Sequence, residues 1–172
     1  MQIIIAIVRA FQFLFAIVVL GLSVTLAKGQ RYGSVPAATG YAAFTGGAGI
    51  LAALIGCAAL FVDALRGIIS WAIDGLASLA LLAGGIAFAV LLRGTSCSNI
   101  ETTWDNVLLS GGCTTIDHQK TCMSSPSKLK SRCTSAKADA AFMFIDFVVC
   151  IAVLACSFFL SRNRRSTTAG LV

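Results

Sequence analysis

Seven cysteines, seven acidic residues and a single histidine carry most of the chemical potential of this 172-residue chain. Four of the cysteines, Cys97, Cys113, Cys122 and Cys133, crowd into one polar stretch together with His118. Four thiols in a short polar stretch read as a disulfide framework formed in an oxidising compartment. Three pairings are open. If the apolar runs on either side are neighbouring helices, Cys97 and Cys133 are drawn together. The expectation is therefore Cys97–Cys133 enclosing Cys113–Cys122, each bridge contributing about 2–4 kcal/mol. The rival is a metal site using His118 with Cys113, Cys122 and Cys133, which the irregular spacing disfavours. Cys57, Cys150 and Cys156 lie in apolar runs, where a thiol is usually a small buried hydrophobe.

The second set of chemically capable groups is charged and sits inside those apolar runs. Arg9 and Asp74 fall at similar depth in the first and third runs, and a charge in hydrocarbon requires a partner. We expect an interhelical ion pair; the alternative is that Arg9 snorkels to the headgroups while Asp74 bonds to Ser70 or Ser78. Asp139 and Asp146, seven residues apart, share one helical face, with Ser23 and Thr45 as hydroxyl partners to consider. A proton relay needs a chain of such groups, and the sequence shows isolated ones, so a structural or assembly role is favoured. Asp63 and Arg66 read as a solvated pair in a tight turn. No catalytic residue, cofactor or resident metal is read: the lone histidine lies outside the runs, which excludes a Ser-His-Asp site there, and no glycine-rich loop carries a P-loop lysine.

The elements that position these groups follow from composition. The chain is 58% hydrophobic and 12% charged, against roughly a quarter charged in soluble domains, which excludes both an ordinary globular enzyme and a disordered chain. Charges are missing between Arg9 and Lys28, Arg31 and Asp63, Asp74 and Arg93, and Asp146 and Arg162. Each gap holds most of the roughly 20 apolar residues that a membrane helix needs. The fold class is thus an all-α integral membrane protein, a four-transmembrane-helix bundle with spans at about 3–27, 41–62, 67–92 and 138–161. Residues 1–172 form one membrane unit with a loop at 94–137 and a tail at 162–172. Internal duplication and period-2 alternation are both missing from the pattern. The first span lacks a basic lead and is too long for a signal sequence, so it reads as a retained helix.

Orientation rests on two signals. Arg9, Arg66, Arg162, Arg164 and Arg165 lie on the side of the termini, five basic residues against eight on the other side (Lys28, Arg31, Arg93, Lys120, Lys128, Lys130, Arg132 and Lys137). Positives close to span ends weigh most, and the cysteine-bearing loop belongs in an oxidising space. Both termini are therefore expected in the cytoplasm and the loop outside. The +6 charge is read as topological and lipid-directed, with no nucleic-acid partner. Arg162, Arg164 and Arg165 follow the last span and would attract anionic phospholipid at about 1 kcal/mol each, with Ser161, Ser166, Thr167 and Thr168 as phosphorylation sites able to weaken that attraction.

Small residues form rows on two spans: Ala48, Ala52 and Gly56 with the adjacent Gly49, Ala53 and Cys57, and Ala80 with Gly84 and Gly85. Such rows let membrane helices approach closely, either inside the bundle or against a second copy. Trp71 fits an interfacial belt position.

The stretch from Trp71-Ala72-Ile73-Asp74 to Leu92-Arg93-Gly94-Thr95-Ser96-Cys97, and Ser131-Arg132-Cys133 followed by Ala136, Ala138, Ala141, Phe142 and Phe144, resemble the fungal MARVEL-domain proteins of the non-classical export family. The resemblance implies a plasma-membrane tetraspan of eisosomes that organises sterol- and sphingolipid-associated domains, responds to sphingolipid status and is linked to unconventional protein export. It also implies that the pair matching Cys97 and Cys133 is kept, whereas Cys113 and Cys122 are an addition and the tail shares only its basic start. The leading reading is a non-enzymatic membrane organiser whose partners are sterol, sphingolipid, anionic phospholipid, further copies and other eisosome membrane proteins. The alternative is a small ion or proton channel or transporter using Asp74, Asp139 and Asp146. A claudin-like adhesion role ranks last, because its cysteine loop would follow the first span.

Overall fold

A computed structural model describes residues 2–31, 33–61, 68–116, 119–122 and 125–169. Four long helices, α1 (Gln2–Lys28), α2 (Ala37–Ala58), α3 (Ile68–Leu91) and α5 (Pro126–Ala169), are joined after α3 by a cap containing a short helix α4 (Ile100–Trp104) and an antiparallel hairpin of β1 (Cys113–Ile116) and β2 (Gln119–Cys122). All four long helices are apolar and long enough to cross a membrane. They form a ring in which α1 packs on α2 and α5, and α3 on α2 and α5. One end of the bundle, the terminal end, holds the start of α1, the end of α2 and the start of α3. The other is closed by the cap.

The distribution of side chains is the reverse of a soluble bundle. Large apolar residues such as Ile7, Leu14, Phe44, Leu51, Leu76 and Val148 point outward, while Arg9, Gln12, Ser23, Asp74, Asp139 and Asp146 are buried. Helices suit hydrocarbon because every backbone hydrogen bond closes within the segment. The interior also holds an apolar half around Val19, Leu81, Phe88 and Met143.

The fourth helix begins at Pro126, twelve residues before the position 138 expected from hydropathy. Proline suits a first helical position because the N–H it lacks would have no partner there. The lysines of this segment mask an apolar seam: Leu129, Cys133, Ala136, Ala140 and Met143, spaced alternately by four and three, are all buried. That spacing keeps one stripe facing a neighbouring helix. What reads as loop is thus a continuation of the membrane helix, and the remaining cap is correspondingly smaller.

The cap is fastened by polar contacts and an apolar plug. Leu108 and Leu109 are buried, and their carbonyls accept from Arg132 at 3.1 and 3.0 Å. Lys137 Nζ donates to the Thr95 carbonyl at 2.9 Å, and the Arg31 backbone N–H donates to Gly111 at 2.8 Å. Gly111 and Gly112, at φ 71° and 94°, take a left-handed backbone open to glycine at little cost, and so turn the chain from the plug into β1.

Close helix packing falls on one glycine in particular. A Cβ at Gly46 would lie 2.7 Å from the Leu20 backbone nitrogen of α1, whereas one at Gly47 meets open space. Backbone cannot move aside as a side-chain tip can. Gly46→Ala is therefore expected to lower stability by about 1–3 kcal/mol in a denaturing-detergent titration, and Gly47→Ala to leave it unchanged or higher. Equal behaviour of the two variants would contradict this account of the α1–α2 contact.

Candidate functional site

The polar groups buried in the bundle gather into a column along its axis. Near the terminal end, Arg9 of α1 reaches across the ring to Asp74 of α3, both amine nitrogens engaging both carboxylate oxygens. Bidentate pairing of this kind is the strongest geometry available to arginine and carboxylate. Arg9 also donates to Gln12 Oε1 at 2.9 Å and lies 3.5 Å from Ser70 Oγ. Gln12 in turn donates to Cys150 Sγ of α5 at 3.2 Å. The second helix contributes an opening: a Cβ at Gly56 would fall on the Arg9 guanidinium. Four helices thus meet around one cation. Ser78, the other hydroxyl considered for Asp74, donates to the Gly75 carbonyl at 2.8 Å instead.

Toward the cap the column continues with carboxylates that pair with no cation among the described residues. Asp139 Oδ2 accepts from Ser23 Oγ at 2.7 Å, while its Oδ1 has no hydrogen-bond partner among the described residues. Asp146, fully buried, has none for either oxygen among the described residues. It faces Gly49 of α2, where an added Cβ would lie 3.4 Å from Oδ2 and 3.0 Å from Ala16 Cβ of α1. Thr45, weighed above as a partner, donates to the Ala42 carbonyl of its own helix at 2.9 Å.

The small-residue rows turn inward. Gly49, Ala52, Ala53 and Gly56 are buried, as is Gly84, and Ala48 and Ala80 are half-buried. Gly84 lies against Met143 and Gly85 against the Phe144 ring. Trp71 packs with its ring centroid 5.7 Å from that of Phe158, the planes tilted by 48°, near the terminal end.

Among the cysteines, Cys97 and Cys133 form a disulfide with Cα atoms 5.5 Å apart. Cys113 is also disulfide-bonded, and the register sets it directly opposite Cys122, whose side chain lies outside the described ones. Cys57, Cys150 and Cys156 are free thiols. Among the described residues no group of three or more His, Cys, Asp or Glu could hold a metal; His118, Asp63 and Arg66 lie outside the described residues. Arg162, Arg164 and Arg165 fall on the last turns of α5, as do Ser161, Ser166, Thr167 and Thr168, with their side chains outside the described ones.

The family model for the membrane-associating domain, MARVEL, matches residues 2–156. The chain belongs to the MARVEL family. The match covers α1, α2 and α3 of this MARVEL protein and runs into α5 as far as residue 156, ending before Arg162. No significant match was found among curated proteins or among solved structures. MARVEL membership, with four helices of spanning length, makes the chain a membrane-associated multi-pass protein.

Two members of the column escape sequence reasoning. Gln12 is the amide that links Arg9 to Cys150, and the signal for it is its place one turn after Arg9 in an otherwise apolar run. Gly56 reads as a packing residue, whereas its position serves to clear space for a guanidinium.

Proposed function

We propose that this MARVEL protein is a non-enzymatic organiser of sterol- and sphingolipid-associated domains in the plasma membrane, of the eisosome-associated kind, linked to sphingolipid response and unconventional protein export. The termini face the cytoplasm and the cap faces outward, where Cys113–Cys122 closes the hairpin as a second bridge. Arg162, Arg164 and Arg165 then meet the anionic cytoplasmic leaflet.

The observation that carries this reading is the division of the surface. Arg9, Asp74, Asp139 and Asp146 point into the bundle, and the outer faces offer lipid-directed side chains such as Phe44, Leu51, Leu76 and Val148. A protein whose exterior is devoted to hydrocarbon acts on its surroundings by which lipids it holds at its flanks. The small-residue rows are occupied within the bundle, so further copies and other membrane proteins would be met through these apolar flanks. Extraction into native lipid discs with lipid analysis tests the proposal. Enrichment of sterol and sphingolipid several-fold over the parent membrane is expected. A lipid complement matching the bulk membrane would count against it, as would labelling of the tail by an impermeant reagent on intact cells.

A further inference from the structure

Asp146 is shut off from water, with a relative accessibility of 0%, and neither of its carboxylate oxygens has a hydrogen-bond donor among the described residues. A bare carboxylate buried in this way is too costly to persist, and inside membranes such residues mark cation pathways and proton sites. The charged and ionisable groups around it leave the cost uncompensated. On its own helix, Cys150 lies one turn toward the terminal end and Asp139 two turns toward the cap. The first helix supplies Arg9, which Asp74 of α3 already neutralises, and the second offers no ionisable group at this level.

Space decides what can compensate Asp146. Gly49 of α2 lies beside the carboxylate, and a Cβ there would meet Oδ2 at 3.4 Å and Ala16 Cβ at 3.0 Å. A metal cation needs several oxygen ligands in its shell, and none is gathered here. The proton needs one oxygen.

We propose that Asp146 is a proton-binding site in the core of the bundle, reached from the cap end past Asp139 and closed at the terminal end by the Arg9–Asp74 pair. Ser23 and Asp139, hydrogen-bonded at 2.7 Å, are the outer relay: hydronium at the cap gives its proton to a carboxylate oxygen of Asp139, leaving water, and water entering the roughly 10 Å of helix rise between the two carboxylates carries it on to Asp146. Asp139 Oδ1, buried and with no partner among the described residues, is the oxygen free to take it. Further passage is opposed by the closed Arg9–Asp74 contact, whose guanidinium and carboxylate occupy the terminal end of the column. The site therefore loads and unloads on one side, unlike a channel. It is independent of the lipid-organising role.

Infrared spectroscopy of the purified full chain in lipid discs, titrated with base, tests this. A protonated-carboxyl C=O band is expected at neutral pH, with one component lost in Asp146→Asn and a different one in Asp139→Asn. Asparagine preserves shape and hydrogen-bonding capacity, and the wild-type titration alone reports the band should a variant fold poorly. Absence of the band in wild-type protein, or its persistence unchanged in folded Asp146→Asn, would overturn the proposal. So would thermal stabilisation by sodium over choline chloride that Asp146→Asn abolishes, which would make the ligand a metal cation. Proton flux through wild-type protein across sealed liposomes would overturn the one-sided closure.

Discussion

Arg9→Met and Asp74→Leu each lower stability by about 3–5 kcal/mol, and the double variant recovers most of the loss. Each single change leaves one charge buried without its partner, which is far worse than removing both. Arg9 is 2% exposed and Asp74 1%, so water cannot take over the role of the missing group. The double variant replaces an ion pair by apolar side chains of similar bulk in a site that hydrocarbon already surrounds. Gln12 loses its contact with Arg9 in that variant but keeps Cys150, which limits recovery. The measurement is folded fraction against denaturing detergent for the four proteins of a double-mutant cycle. Additive losses would mean that the two side chains act separately, and the pair would not be what joins α1 to α3 across the ring.

Replacing Cys97 and Cys133 by serine is the second large effect, a loss of about 4 kcal/mol. The two are 36 residues apart in sequence, and the chain-entropy description of a disulfide gives that magnitude for a loop of this size. The bridge ties the exit of α3 to the buried seam of α5, beside the Leu108–Leu109 plug and its clasp to Arg132. Loss of the bridge therefore concentrates on the cap. We expect the double serine variant to be cut by protease in the cap at concentrations that spare the wild type, with the helical signal retained. An unchanged thermal midpoint and an unchanged digestion pattern would show that the polar clasp alone holds the cap.

Membrane helices announce themselves through runs without charge, which is why the four long helices and the depth of Arg9 and Asp74 were legible in the residues. Hydropathy marks the apolar stretch of α5 and not its first turns, for a definite reason. Lys128, Lys130 and Lys137 lower the average of the segment, yet the seam from Leu129 through Met143 buries one side of it. The signal for that segment lies in its periodicity, the alternating four- and three-residue spacing of Leu129, Cys133, Ala136, Ala140 and Met143. Thr45 illustrates another limit: a hydroxyl in a helix can satisfy itself on the carbonyl of the preceding turn, so position alone does not show which partner it takes. Nor does a glycine declare whether it admits a backbone, as Gly46 does for Leu20, or a side chain, as Gly56 does for Arg9. Both are facts of three-dimensional approach between helices distant in sequence.

The fourth long helix has a mechanical consequence. From Ser127 to Ala169 it contains neither glycine nor proline, and at 1.5 Å per residue its 44 residues measure about 66 Å, roughly twice a hydrocarbon core. One unbroken helix thus joins the cystine-anchored cap to the arginine-bearing last turns, so the two ends of the molecule share a single backbone element.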